Sequence, residues 1–308
     1  METRRIGKLD VTMVGIGCNN FGGRIDAAAT DAVIGAATDS GINFFDTADS
    51  YGAGKSEEFL GKALGARRDR VVIATKFGSA FGDQPGGASA PYVRVAVEKS
   101  LRRLGTDHID LYQLHRPDEK VPIAETLAAL GELVSEGKVR EIGCSNFSVA
   151  QLVAADEASA PGGPRFVSVQ NQYSILHRDP EDGVLAECAR QGLAFLPYFP
   201  LASGLLTGKY RPGEQAPPGS RLAGIDEARR AKELSDERLG LVAALAEVAA
   251  KEGRNLADLA FGWLLSHDEV ASVIAGATHP DQVRTNAATA NFRPSPEVLA
   301  EVDAIAPR

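Results

Sequence analysis

Short apolar, β-branched runs alternate with longer amphipathic stretches along nearly the whole chain. The runs at 11–17, 42–45, 71–75, 109–114, 139–144, 166–169, 193–196 and 271–275 predict eight strands. Between them, 31–40 (with Thr30 as N-cap), 56–64, 91–104, 123–136, 149–158 and 182–190 predict helices. Segments 236–252 and 256–266 predict two further helices before the last strand, and 280–290 and 296–305 two more after it. Strands that are apolar on almost every residue belong to a parallel sheet covered by helices. Eight strand–helix units are the number that closes a barrel. The pattern therefore predicts an α/β chain: one (β/α)8 TIM barrel over residues 1–308, with additional C-terminal helices. Residues 4–6 against 11–13 predict an N-terminal β-hairpin that plugs the bottom of the barrel. Segment 204–235 is long, polar and rich in Pro and Gly, and follows strand seven on the face where barrel loops carry function.

Charge and composition narrow the function class. The net charge of −8 argues against a nucleic-acid partner and against anionic membranes, both of which favour a basic face. No apolar run reaches membrane-spanning length, and residues 1–10 lack a signal-peptide core, so the expected location is cytoplasmic. Cys18, Cys144 and Cys188 are too few and too widely spaced for a disulfide framework or a Cys-x-x-Cys metal site, so no metal is expected.

Chemistry in such a barrel gathers where strands end. Strand two ends in Asp46, with Tyr51 in the following loop; strand three ends in Lys76 and strand four in His115. Ser145 and Asn146 follow strand five, Gln170 strand six and Tyr198 strand seven. Taken singly, each has an ordinary structural reading: a helix cap, a packing phenol, an ion pair, a satisfied histidine. Together they suit carbonyl reduction, which needs a proton for the oxygen and a hydride for the carbon. A neighbouring ammonium lowers a phenol's pKa, and a buried ammonium needs a carboxylate. Asp46 would hold Lys76, Lys76 would tune Tyr51, Tyr51 would exchange the proton, and His115 would orient the carbonyl.

These segments resemble the aldo-keto reductases. The stretch from Gly41 to Gly52, the Lys76 segment (Val72 to Gly78) and Leu111-Tyr112-Gln113-Leu114-His115 carry the resemblance. It implies a catalytic set of Asp46, Tyr51, Lys76 and His115 and a nicotinamide cofactor, NADP with NAD as the alternative. Ser145, Asn146 and Gln170 would hold the carboxamide, and the Tyr198 ring would stack on the nicotinamide. Leu201, Ser203, Gly204 and Lys209 would wrap the pyrophosphate, with Arg221 adding a phosphate contact. Gly276, Thr278, Gln282 and Asn286 would take the adenosine end, near a helix N-terminus that suits an anion. No Gly-x-Gly-x-x-Gly fingerprint follows strand one, so a Rossmann domain is not expected. Three positions depart from the family pattern. Phe199 stands where Ser is common, His279 where many relatives carry Arg or Lys, and Cys18 where Thr is common.

The expected partner is a small carbonyl substrate, with Asn19, Asn20, Phe21, Phe77, Arg116 and Phe199 as candidate pocket walls. The polar members among them suit a sugar or hydroxyaldehyde. The loop after strand seven also resembles that of potassium-channel β subunits, which keeps a cofactor-binding regulatory subunit as the alternative. A third reading makes Lys76 the Schiff-base lysine of a barrel lyase, which would need no dinucleotide.

Overall fold

The chain enters as a hairpin. Strand β1 (Thr3–Ile6) pairs antiparallel with β2 (Leu9–Thr12), Arg4 opposite Val11 and Ile6 opposite Leu9. The computed structural model describes residues 1–159 and 162–308. Eight parallel strands follow: β3 (Val14–Gly17), β4 (Phe44–Asp46), β5 (Val72–Phe77), β6 (Ile109–Leu114), β7 (Val139–Ser145), β8 (Ser168–Gln172), β9 (Ala194–Tyr198) and β10 (Val273–Gly276). They lie in the order β10-β3-β4-β5-β6-β7-β8-β9. The ring closes where Phe195 donates to Glu269 O at 2.7 Å and accepts from Ala271 N at 3.0 Å. The predicted (β/α)8 barrel and its hairpin are both present.

Helices α1 (Ala27–Asp39), α2 (Lys55–Leu64), α3 (Ala90–Leu104), α4 (Ile123–Ser135), α5 (Val149–Ala158) and α6 (Val184–Gln191) separate β3 through β9. Between β9 and β10 lie α7 (Glu227–Glu233), α8 (Asp236–Lys251) and α9 (Leu256–Leu265). Helices α10 (Pro280–Thr289) and α11 (Pro296–Ile305) complete the chain.

Local chemistry moves several boundaries. The expected first strand is two strands, because Val11 and Thr12 pair with the hairpin and only Val14–Gly17 enters the barrel. The cap of α1 is Asp26, not Thr30. Asp26 Oδ1 accepts from Ala29 N at 2.9 Å, so the helix starts earlier, and the Thr30 hydroxyl donates back to Asp26 O. Helix α7, inside the stretch read as a loop, is capped by Asp226, which accepts from Arg229 N. The last three barrel strands start and end later than the sequence runs suggest.

Period-two alternation along the strands divides the interior from the helix side. Phe44, Val72, Ala74, Leu111, Leu196 and Ile274 point inward and pack with Ile6, Leu9 and Val11 of the hairpin in one apolar cluster. Full burial of such side chains contributes roughly 1.5–3 kcal/mol each. Intervening residues such as Ile73, Tyr112 and Phe195 join the larger core under the helices. Arg4 ties the hairpin down by donating to the carbonyls of Leu265, His267 and Val270. Two residues beyond the apolar inward positions, the same columns turn polar: Asp46 after Phe44, Lys76 after Ala74, Gln113 after Leu111, Tyr198 after Leu196. The barrel is thus dry at its floor and chemically equipped above it.

Candidate active site

Lys76 is fully buried, with Nζ 2.7 Å from Asp46 Oδ2 and donating to Thr47 O at 2.8 Å. The same ammonium lies 5.1 Å from the Tyr51 ring centroid. A buried ion pair is tolerated only when its remaining valences are filled. Here Asp46 Oδ1 accepts from Gln170 Nε2 at 2.9 Å and from Gln113 Nε2 at 3.3 Å. Burial alone would lower the pKa of Lys76, but Asp46 and Tyr51 outweigh it and hold it above its ordinary value. Lys76 is therefore a cation at neutral pH, not a free amine suited to Schiff-base chemistry.

Tyr51 is presented by a tight turn in which Gly52 has φ +56° and Ala53 φ +55°. A Cβ on Gly52 would stand 2.9 Å from Phe21 O, so the turn requires glycine there for both reasons. Burial raises the Tyr51 pKa, and Lys76 offsets only part of that rise. Lys76 pulls this pKa down, as expected of an ammonium beside a phenol, but not far enough to offset burial in the resting protein. Desolvation wins, and Tyr51 is a neutral phenol. Its ring meets His115 edge-on, centroids 5.9 Å apart and planes at 79°. Burial, then Lys76 and Arg116, push His115 down to about 3, so its imidazole is neutral.

A hydrogen-bonded chain crosses the rim beside this pair. Tyr198 OH donates to Asn146 Oδ1 at 2.8 Å, and Asn146 Nδ2 donates to His115 O at 2.9 Å and Ser145 Oγ at 3.0 Å. Ser145 Oγ donates to Gln170 O at 2.7 Å. Asn146 holds φ +63°, and Phe199, Ala202 and Ser203 also have positive φ. Non-glycine residues in that region are uncommon, and clusters of them mark functional sites.

One cavity of about 690 Å³ opens here, within the range of small-molecule sites. Asp46, Tyr51 and His115 line it, and Lys76 lies behind them. Every residue expected at the cofactor also lines it: Ser145, Asn146, Gln170, Tyr198, Leu201, Ser203, Gly204, Lys209, Arg221, Gly276, Thr278, Gln282 and Asn286. The lining fits a dinucleotide. Gly204 has φ +96°, a backbone conformation that favours glycine, and a Cβ there would fall 2.8 Å from Lys209 Nζ, so the loop runs close beside a cation. Thr278 and Gln282 stand at the N-terminus of α10, joined by Thr278 N donating to Gln282 Oε1 at 2.8 Å. Among the described residues no His/Cys/Asp/Glu cluster could hold a metal.

Two candidate walls move elsewhere. Phe21 and Phe77 are fully buried, and Phe77 stacks on Tyr112 at 4.7 Å inside the core. Phe199 does line the cavity, between the Tyr198 ring and the Arg221 guanidinium, which lies 4.9 Å from its centroid. Cys18 is buried and its pKa is pushed well above the ordinary value by burial, which makes it a packing thiol. The sequence reading missed Gln113 and Arg24. Gln113 was findable, two residues before His115 on the same inward column. Arg24 lines the cavity and donates to Gly219 O at 2.5 Å, a contact across 195 residues with no local signal.

The profile of the Aldo/keto reductase family matches residues 13–307, and the chain belongs to that family. Its members are oxidoreductases that use nicotinamide cofactors. A probable voltage-gated potassium channel subunit beta from rice, Oryza sativa subsp. japonica, is 34% identical over 92% of this chain and 89% of its own length. The L-glyceraldehyde 3-phosphate reductase of Escherichia coli K12 is 33% identical over 92% of this chain and 86% of its own. A glycerol dehydrogenase structure from Gluconobacter oxydans superposes with a TM-score of 0.86 at 30% identity, covering 99% of this chain and 94% of that one. No helix among the described residues is long and apolar enough to cross a membrane.

Proposed function

We propose that this chain reduces an aldehyde or ketone to the alcohol, reversibly, with NADP(H) preferred and NAD(H) as the alternative cofactor. One observation carries the reading: Lys76 Nζ is held by Asp46 and lies against the Tyr51 ring, while Tyr51 and His115 face one cavity. When bound, the nicotinamide supplies or accepts the hydride. The residues do the rest. His115, neutral, donates a hydrogen bond to the carbonyl oxygen. Tyr51, protonated at rest, gives its proton to that oxygen as negative charge develops there. Lys76 stays charged and stabilises the phenolate left behind, and Asp46 keeps Lys76 charged.

Ser145, Asn146 and Gln170 would hold the carboxamide, Tyr198 the ring face, and Leu201, Ser203, Gly204, Lys209 and Arg221 the phosphates. Gly276, Thr278, Gln282 and Asn286 would hold the adenosine end. The NADP preference is supported by the surplus of cations along the 201–221 segment, although His279 stands where many relatives carry Arg or Lys. We read residues 1–308 as one domain carrying both binding and chemistry, working in the cytoplasm with its three thiols free and buried.

Replacing Tyr51 with Phe tests the assignment. Turnover across a carbonyl panel should fall by at least a thousandfold, while NADPH binding, followed by protein fluorescence, should stay within a few fold. Near wild-type turnover in Tyr51→Phe removes the mechanism. The similarity to the rice channel subunit favours a second reading, a regulatory protein that binds the dinucleotide. Tight NADPH binding with no turnover on any carbonyl would favour it.

A further inference from the structure

One cation of the cavity, Arg116, stands apart from the segment that would hold the cofactor phosphates. The ionised residues lining the cavity are Arg24, Arg116, Lys209, Arg221, Asp46 and Asp281. Both acids are spoken for: Asp46 pairs with Lys76 at 2.7 Å and Asp281 with Arg284 at 2.6 Å. Arg24, Arg116, Lys209 and Arg221 have no acidic partner among the described residues, in a protein of net charge −8.

Three of the four belong to the loop that would wrap the cofactor phosphates. Lys209 and Arg221 are part of it, and Arg24 donates to its Gly219 carbonyl. Arg116 is elsewhere. It follows His115, whose carbonyl is fixed by Asn146 Nδ2 and whose N–H donates to Phe77 O at 2.8 Å. Its backbone is thus anchored at the carbonyl-reducing end. The guanidinium is exposed, and among the described residues it makes no ion pair and no side-chain hydrogen bond. Asp118, the acid nearest in sequence, spends its oxygens on Ala88 N and Lys120 N. Arg116 lines the same cavity as His115 and Tyr198, at the end of the proposed carbonyl and nicotinamide positions.

We propose that this reductase takes anionic substrates: short-chain aldehydes or ketones bearing a phosphate or carboxylate, held by Arg116 while His115 and Tyr51 engage the carbonyl. This rests on the carbonyl-reductase reading and deepens it. A guanidinium presents a planar fork that matches either anion in two-point contact. The focused positive field also raises the local concentration of an anionic substrate. Arg116 would set specificity, because it discriminates by charge at a distance from the reacting bond.

The test uses the full chain with saturating NADPH and two matched pairs, glyceraldehyde 3-phosphate against glyceraldehyde and succinic semialdehyde against butyraldehyde. In at least one pair the anionic member should show a kcat/KM tenfold or more above its neutral partner. That pair then identifies phosphate or carboxylate as the preferred anion. In Arg116→Gln the anionic-to-neutral ratio should fall at least tenfold, chiefly through KM, and Arg116→Lys should restore part of it. If Arg116→Gln does not fold, the wild-type ratio should still fall as ionic strength rises. A wild-type ratio near one in both pairs, or a ratio untouched by Arg116→Gln, overturns the inference while leaving the reductase reading standing. If no carbonyl is reduced at all, both fall together.

Discussion

Gln170 donates its amide to Asp46 Oδ1 over 2.9 Å, joining strands β8 and β4 across the barrel. Gln113 reaches the same oxygen from β6 over 3.3 Å, leaving Oδ2 free for Lys76. Asp46 is therefore oriented by two neutral donors before it meets its cation. Gln170 also lines the cavity, whereas Gln113 does not. Gln113 is a positioning residue whose loss should act through Asp46 alone. A hydrogen bond to a charged group contributes about 1.5–3 kcal/mol, less at this length. Gln113→Leu should lower kcat about tenfold with the NADPH dissociation constant within twofold, measured by steady-state kinetics and fluorescence titration. Gln113→Glu, which places a like charge beside Asp46, should be worse. An equal loss in cofactor affinity would show that Gln113 acts on the pocket rather than on Asp46.

The same columns explain what could be read without coordinates. Asp46, Lys76 and His115 each end an apolar run, and apolar runs are the strongest signal a parallel barrel leaves in a sequence. Phe21 and Phe77 misled because a ring near a site motif says nothing about which face it takes. Phe77 follows Lys76 by one residue, so alternation alone turns it outward to Tyr112. Thr30 misled because Asp26, four residues earlier, competes for the same helix start. The positive φ of Asn146 and Phe199 had no signal, since neither is glycine. The Lys76 effect on Tyr51 is legible as a neighbouring charge, whereas the larger opposing effect of burial is not, because a sequence does not show depth.

The Lys76–Asp46 pair supports a stability prediction as well as a catalytic one. Removing one partner of a buried pair strands the other and typically costs about 3–5 kcal/mol. Lys76→Met and Asp46→Leu should each lower unfolding free energy by roughly that amount in urea. The double variant should recover a large part, giving a coupling energy of a few kcal/mol, while remaining inactive. Additive losses would mean the pair contributes nothing as a pair.

Burial of Tyr51 and His115 predicts different pH profiles for the two directions. Tyr51 is a phenol with its pKa raised above the ordinary value, chiefly by burial, so reduction has its proton donor ready across the neutral range. Oxidation needs the phenolate, whose population rises tenfold per pH unit below that pKa. The oxidative kcat/KM should climb with a slope near one through pH 9, while the reductive rate stays flat from pH 5 to 9. His115, down at about 3, should add no acidic limb above pH 5. A flat oxidative profile between pH 6 and 9 would exclude Tyr51 as the proton acceptor.

Asp49 lies three residues after Asp46 and two before Tyr51, almost fully buried, and its Oδ1 has no partner among the described residues. Burial, then the nearby Glu57, drive its pKa from 3.8 to about 7, against opposition from Arg103, the Ser50 N–H and Lys76. Glu57 itself is held by Arg103 Nε at 2.6 Å and Thr75 Oγ1 at 2.5 Å, so Arg103 is already committed. The folded state binds this proton more tightly than the unfolded chain does. The stabilisation is therefore complete below about pH 4 and is lost as pH rises through 7. A displacement of that size corresponds to on the order of 4 kcal/mol. Asp49→Asn keeps the shape without the charge. It should be more stable than wild type by about that amount at pH 8, and equal to it near pH 4, in urea unfolding at both pH values. Parallel curves, with the same difference at pH 4 and 8, would mean that Asp49 is ionised in the native protein throughout, and that Arg103 serves both carboxylates after all.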